Sequence, residues 1–156
     1  EKENQTAIAK FILEEMEPGA TIIFGPGTTV KRIAEVLGVG KTVLGVDVYR
    51  DGKVILDVDE KRILEEVESW QKTWVILSPI GRQGILLGRG NLQISPEVIR
   101  RVGKERIVVV ATKSKLQGVV GGVLRVDTWD VGVDELLRGY VRVVTDYREW
   151  RLMPVQ

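Results

Sequence analysis

The chain has 156 residues, of which 44% are hydrophobic and 29% are charged, and its formal net charge at pH 7 is +1. This length and composition are typical of one folded domain with a substantial core, and they exclude a disordered chain. Cysteine and histidine are both absent, which excludes disulfides, thiolate metal sites and catalytic systems built on imidazole.

The charge and the apolar pattern also limit the partners and the location. The near-zero net charge gives no general reason to expect nucleic acid binding. No apolar run approaches the roughly 20 residues that a membrane-spanning helix needs. Because no signal-like segment opens the chain, we expect a cytoplasmic protein with no membrane partner. Many Glu, Lys and Arg with few Met are a compositional hint of a thermophile. Assembly into a homo-oligomer stays open.

A helix, a strand and a second helix are predicted for the first 38 residues. Apolar residues at helical spacing indicate the first helix, which ends at Pro18-Gly19: Ala7, Ile8, Phe11 and Ile12. A buried strand at residues 22–24 then meets Gly25-Pro26-Gly27. An amphipathic helix follows, with Thr28 or Thr29 as its N-cap, and it runs to Gly38.

Strands and helices alternate through the rest of the chain. Residues 41–77 predict a strand ending near Asp47, a turn at Asp51-Gly52, an extended run to Val58, a helix capped by Asp59 and a strand at 74–77. A helix is then predicted from Ser95-Pro96 to Gly103, followed by a strand at 107–110 and a loop at 111–122. The last predicted elements are a strand at 123–126, a helix at 134–138, a strand at 140–144 and an edge strand at 147–153. Continuous Val and Ile runs between helices indicate parallel strands covered on both faces.

The predicted fold is therefore a single three-layer α/β domain over residues 1–156, with a mostly parallel sheet and helices on both faces. Such a sheet is Rossmann-like or phosphosugar-isomerase-like. In these folds ligands bind outside the carboxyl ends of the strands, in the loops that lead to helices. Four loops of this chain fall there, at residues 25–29, 78–91, 111–115 and 127–130.

The first of these loops predicts a phosphate site. Lys31 and Arg32 lie in the first turn of a helix, where each cation opposes the helix macrodipole by about 0.3–1 kcal/mol. An anion bound at that terminus would reverse the sign. Glycines that admit backbone close to a ligand and hydroxyls at the turn suit a phosphate, and the expected ligands are Gly25, Gly27, Thr28 and Thr29. The alternative is an ordinary strand-turn-helix corner with solvated cations.

The other loops supply further candidates. The loop at 78–91 is the richest in glycine, and it predicts contacts to a nucleotide or sugar from Gly81, Gly84, Arg89, Gly90 and Asn91. The alternative is a long surface hairpin with glycines at its turns. Thr112 follows a buried strand and is a further candidate ligand. Candidate acid–base groups are Asp47, Asp127 and Lys113, although Asp127 is equally typical of a turn.

Six stretches together resemble one family of kinases. They cover nearly the whole chain: MEPGATIIFGPGTTVKRIAEVLG, KTVLGVDVYRDGKV, SPIGRQGILLGRGNLQISPEVIRRVG, IVVVATKSKL, LRVDT and LRGYVRVVT. In combination they resemble the C-terminal half of the predicted ATP- or polyphosphate-dependent NAD kinases of the acetoin-catabolism X type. The resemblance implies that the intact protein transfers a phosphoryl group from ATP to the ribose 2′-hydroxyl of NAD, with Mg²⁺.

The resemblance also implies which part of the enzyme this chain is. NAD kinases carry a GGDG motif whose aspartate is the expected catalytic residue, and the chain contains no GGDG. We therefore expect an upstream GGDG-bearing domain in the parent protein, and no activity from this chain alone. The chain itself would bind a small phosphorylated ligand and would hold no metal.

Two alternatives from other functional classes stay open. The strand-GPGTT-helix segment is similar to the phosphate loop of ribose-5-phosphate isomerases and of the sugar-phosphate domains of some transcription repressors. The GRQGILLGRGN stretch is similar to a loop of glucosamine-6-phosphate isomerases and phosphogluconolactonases. The chain could thus be a phosphosugar isomerase or lactonase, or a non-catalytic domain that binds an effector phosphate.

Overall fold

The computed structural model describes residues 1–156, which form six helices and nine strands. The helices are α1 (Lys2–Glu15), α2 (Thr28–Leu37), α3 (Glu60–Glu66), α4 (Pro96–Val102), α5 (Lys113–Gln117) and α6 (Val131–Leu137). The strands are β1 (Thr21–Phe24), β2 (Asp47–Arg50), β3 (Lys53–Ile55), β4 (Thr73–Leu77), β5 (Ile85–Leu87), β6 (Ile107–Val110), β7 (Arg125–Val126), β8 (Gly139–Asp146) and β9 (Glu149–Val155). No helix is both long and apolar enough to cross a membrane.

Seven of the strands form one sheet, in the order β3-β2-β1-β4-β6-β8-β9. The four central strands β1, β4, β6 and β8 run parallel. Strands β2 and β3 at one edge and β9 at the other pair antiparallel. A separate small sheet pairs β5 with β7 in parallel. The predicted α/β fold with a mostly parallel sheet is confirmed, and its antiparallel strands lie at the two edges.

The core consists of two apolar clusters, one on each face of the sheet. A cluster of 12 buried residues packs α1 and α2 against one face, and a cluster of 25 packs α3, α4, α5 and α6 against the other. Neighbouring residues of one strand point to opposite faces, so Ile22 belongs to the smaller cluster and Ile23 to the larger. Because both faces of the central strands are covered, these strands are continuous apolar runs. Burial of each apolar side chain stabilises the fold by about 1.5–3 kcal/mol.

Local signals place most helix ends where the sequence predicts them. The Ser95 hydroxyl accepts from the Val98 N–H, and Pro96 occupies the first turn of α4. The Asp59 carboxylate accepts from the Arg62 N–H at 2.9 Å and caps α3. Helix α2 ends at Gly38, whose φ of 94° is left-handed. These ends depend on residues only a few positions apart, which explains why the sequence reveals them.

Several predicted boundaries are wrong. The extended run predicted to Val58 ends at Ile55, and the predicted loop at 78–91 contains the short strand β5. Asp47 begins strand β2 instead of ending a strand, because residues 41–46 fold into a loop around the Lys41 side chain. The stretch predicted as loop at 111–122 contains α5, which the Thr112 hydroxyl caps by accepting from the Lys115 N–H. The N-cap of α2 is Gly27 rather than either threonine, since its φ of 123° is a conformation that threonine rarely adopts.

Candidate functional site

The four predicted loops lie together at the end of the main sheet where its parallel strands terminate, and this end is called the site edge below. The Lys115 ammonium donates to the carbonyl of Gly81 at 3.1 Å, which joins the loop after β6 to the loop after β4. A Cβ built on Gly27 would lie 3.6 Å from the Cβ of Ser78, so the loop after β1 packs against the start of the loop after β4. Gly88 lies directly against the backbone of Asp127. The four predicted loops are therefore neighbours in the fold.

The N-terminus of α2 presents unused hydrogen-bond donors at the site edge. The backbone N–H groups of Thr28, Thr29 and Val30 donate to no acceptor, and no side chain caps the helix. The first turn contains no acidic residue, and the ammonium of Lys31 forms no ion pair. Unpaired N–H groups at a helix N-terminus carry a partial positive charge of roughly half an elementary charge. The terminus therefore has the properties of an anion site.

The glycines before α2 are required by backbone packing. The Gly25 N–H donates to the Ile76 carbonyl at 2.9 Å, and a Cβ on Gly25 would lie 3.1 Å from that same oxygen. The Gly27 N–H donates to the Val43 carbonyl at 2.8 Å. Gly27 is thus tied to the loop at residues 41–46 and does not offer its own N–H to a ligand. The free donors begin one residue later, at Thr28.

The start of α1 lies beside the two threonines. The Gln5 amide donates to the hydroxyl oxygens of both Thr28 and Thr29 at 3.2 Å. The guanidinium of Arg32 donates to the Thr6 hydroxyl at 2.9 Å. Gln5 and Thr6 were not predicted as site residues, and the sequence signal for them is the polar run at 3–6, ahead of the apolar pattern of α1. Both threonine hydroxyls accept from Gln5, which leaves their own protons available to donate to a ligand.

A buried ion pair supports the loop that faces Gly27. The Lys41 ammonium donates to Asp47 at 2.6 Å, and both side chains are fully excluded from solvent. Asp47 also accepts from the Thr42 hydroxyl and from the Asp57 N–H, so both of its carboxylate oxygens are occupied. Burial lowers the pKa of Lys41, and the hydrogen bond that its ammonium donates to Asp47 partly opposes this. Asp47, a candidate acid–base group, therefore has its hydrogen-bond partners inside the protein.

The glycine-rich loop is held together from inside. Asn91 is buried, and its amide donates to the Leu86 carbonyl at 2.8 Å while its carbonyl accepts from the Gly88 N–H at 3.0 Å. A Cβ on Gly84 would lie 2.9 Å from Val119, so this glycine is needed for packing. Of the predicted ligands in the loop, Gly81, Arg89 and Gly90 are exposed, and the Arg89 guanidinium forms no ion pair.

The remaining candidates have different surroundings. Thr112 is buried, and its hydroxyl is used to cap α5. Lys113 is exposed, and its ammonium pairs with Asp146 at 3.0 Å and with Glu149 at 3.2 Å, which raises its pKa. Asp127 is exposed, and its backbone lies against Gly88. The three candidate acid–base groups share no hydrogen-bond or ion-pair partner with one another.

The carboxylates near the site edge do not form a magnesium site among themselves. No group of three or more acidic residues lies close together. Asp47 is paired with Lys41, Asp130 with Arg100 and Asp146 with Lys113. A hard cation binds carboxylate oxygens, and each of these three carboxylates already has a cationic side chain as its partner. Asp127 forms no ion pair, so a Mg²⁺ ion at this site would depend on phosphate oxygens of a bound ligand for most of its coordination.

A family model described as the ATP-NAD kinase C-terminal domain matches residues 17–155. The chain belongs to this family. The match includes the loop at 25–29, the glycine-rich loop and the whole main sheet, and it leaves out residues 1–16, which contain α1, and Gln156. The predicted resemblance to NAD kinases is thus confirmed at the level of the family. No curated protein and no solved structure gives a significant match to this ATP-NAD kinase C-terminal domain.

Proposed function

We propose that this chain is the phosphate- and nucleotide-binding part of an ATP-NAD kinase-like protein, and that the N-terminus of α2 binds phosphate oxygens of ATP or NAD. The observation that carries the proposal is the set of free backbone N–H groups at Thr28, Thr29 and Val30. They lie in a turn with no acidic side chain and with Lys31 adjacent. A phosphate there would accept hydrogen bonds from donors that otherwise lack a partner.

The remaining part of a nucleotide would extend along the site edge towards the glycine-rich loop. Ser78 begins that loop beside Gly27, and the side chain of Ile80 packs against Gly90. The turn that carries Arg89 is thus connected to the phosphate site through the segment from Ser78 to Ile80, and Arg89 itself is exposed. A planar guanidinium suits a second phosphate or a ribose oxygen, and we propose Arg89 for this role.

We propose that the groups for phosphoryl transfer come from elsewhere in the parent protein. Asp47 is buried in an ion pair with Lys41, and the ammonium of Lys113 pairs with Asp146 and Glu149. We therefore propose that the catalytic aspartate lies in a GGDG-bearing domain of the parent protein. The present chain would bind and orient the phosphorylated substrate, and it would be inactive alone. ATP and NAD are the ligands that the family implies.

Calorimetric titration with ATP, NAD, NADP and ribose 5-phosphate tests the proposal. The double variant Thr28→Ala, Thr29→Ala removes both hydroxyl donors, and Lys31→Ala removes the free cation. Each lost hydrogen bond to a charged group is worth about 1.5–3 kcal/mol, so we expect the double variant to bind the nucleotide at least about tenfold more weakly. Ser69→Ala and Lys61→Ala are matched controls, because both residues are exposed and belong to neither loop of the site.

Each outcome separates the hypotheses. Nucleotide binding that weakens in the double variant and in Lys31→Ala, but not in the controls, supports the proposal. Binding of ribose 5-phosphate with no nucleotide binding would replace it with a phosphosugar-binding function. Unchanged affinity in a double variant that retains its circular dichroism spectrum would show that the two hydroxyls do not contact the ligand. Absence of binding of all four compounds by the wild-type chain would refute the proposal.

A further inference from the structure

The main sheet opens into a cleft where strands β6 and β8 separate. Strand β8 has eight residues, but it pairs with β6 only through Val143 and Val144. Its first four residues, Gly139–Arg142, pair with β9 alone. Strands β6 and β8 therefore separate towards their N-terminal ends, and a cavity of about 520 Å³ lies between them.

The cavity reaches into the core from both faces of the sheet. Leu77, Val109 and Leu137 in its wall belong to the larger apolar cluster, whereas Val144 belongs to the smaller one. Hydrophobic residues make up 11 of its 14 lining residues. Protein cores contain few voids, and a concave apolar volume of roughly 300–1,000 Å³ is typical of a small-molecule site. The cavity is therefore large enough for a ligand with a hydrocarbon portion.

The charged residues at the mouth favour an anionic head group. Lys104, Glu105 and Arg142 line the cavity, are exposed and form no ion pair. The guanidinium of Arg142 lies 4.5 Å from the ring centre of Trp150, which holds it at the surface without neutralising its charge. Two cations and one carboxylate leave a net charge of +1 at this mouth. A carboxylate head would be attracted there, whereas a cationic head would be repelled.

We propose that this cleft binds an amphipathic organic anion, namely a medium-chain carboxylate whose hydrocarbon tail enters the cavity while its carboxylate lies between Lys104 and Arg142. The charged mouth at Lys104 and Arg142 is distinct from the N-terminus of α2, since no residue of α2 or of the loop at 25–29 lines the cavity. The inner wall of the cavity, at Leu77, Leu86 and Leu87, adjoins the glycine-rich loop. The inference does not rest on the proposed kinase-related function.

Titration with decanoate tests the inference, with the fluorescence of Trp74 in the cavity wall as the readout and Trp74→Phe to identify that signal. We expect saturable binding of one decanoate per chain. Lys104→Gln and Arg142→Gln should each weaken it by about two- to fivefold, since exposed charge pairs are worth about 0.2–1 kcal/mol. Binding of decanol should not change in these variants. Decyltrimethylammonium, with the same tail and the opposite charge, should bind most weakly.

A cavity-filling variant provides the second test. Val141→Phe places a ring in the space for the tail and should weaken decanoate binding by about tenfold or more. Val36→Phe, at an exposed position of α2 outside the cavity, is its matched control. Absence of saturable binding, or equal affinity for decanoate and decyltrimethylammonium, would overturn the inference. So would a dimer in sedimentation experiments that dissociates in Arg142→Gln, because a second copy of the chain would then cover the cleft.

Discussion

Replacing the buried Lys41 by methionine should lower the free energy of unfolding of the protein severely. In the folded state the Lys41 ammonium donates to the Thr42 carbonyl at 2.9 Å, to the Gly45 carbonyl at 3.1 Å and to Asp47 at 2.6 Å. All three of its protons are therefore used. Methionine keeps the length of the apolar stem but removes the charge that balances Asp47.

The magnitude follows from what remains around Asp47. Removing one partner of a buried ion pair costs about 3–5 kcal/mol, because an uncompensated charge is left in the interior. Asp47 would still accept from the Thr42 hydroxyl and the Asp57 N–H, so the lower end, about 3 kcal/mol, is expected. Domains of this kind have a total stability of only about 5–15 kcal/mol. The variant should thus lose a large fraction of its free energy of unfolding.

Urea unfolding followed by circular dichroism measures the effect. Lys61→Met is the matched control, because Lys61 is exposed on α3 and forms no ion pair, and it should change the free energy of unfolding by no more than about 0.5 kcal/mol. The double variant Lys41→Met, Asp47→Asn should be more stable than Lys41→Met, since the unpaired charge is removed while an acceptor for the Asp57 N–H remains. A loss below about 1 kcal/mol in Lys41→Met would refute the reasoning.

Two further predictions concern the glycine-rich loop and the response to acid. Asn91→Ala should cost about 1–3 kcal/mol of stability for each buried backbone group it leaves unpaired, at Leu86 and Gly88; a midpoint of urea unfolding like that of the wild type would contradict this. The Arg100 guanidinium lowers the pKa of Asp130 below its ordinary 3.8, so this stabilisation is present above that pH and is lost as the pH falls through the lowered value. Asp130→Asn should therefore be less stable than the wild type at pH 7, with a difference that shrinks on acidification; a constant difference down to pH 2 would show that the ion pair is not the cause.

The sequence by itself determined the features that depend on residues close together in the chain. The caps of α3 and α4 at Asp59 and Ser95 and the left-handed end of α2 at Gly38 are of this kind. The continuous apolar strands predicted a sheet covered on both faces for the same reason, because alternate side chains of one strand must each find a core. The glycines and threonines at residues 25–29 likewise predict an anion site at the N-terminus of α2 from local sequence alone.

The burial and the hydrogen-bond partners of the candidate residues depend on the tertiary structure. Asp47 and Asn91 are polar residues in promising loops, yet the fold surrounds each with internal partners, Lys41 for one and the backbone of residues 86–88 for the other. The proximity of Gln5 to Thr28 joins residues 23 positions apart, and the cleft between β6 and β8 exists only because two strands diverge. A pattern along the chain records which groups a segment contains, whereas burial and hydrogen-bond partners depend on segments that meet only after folding.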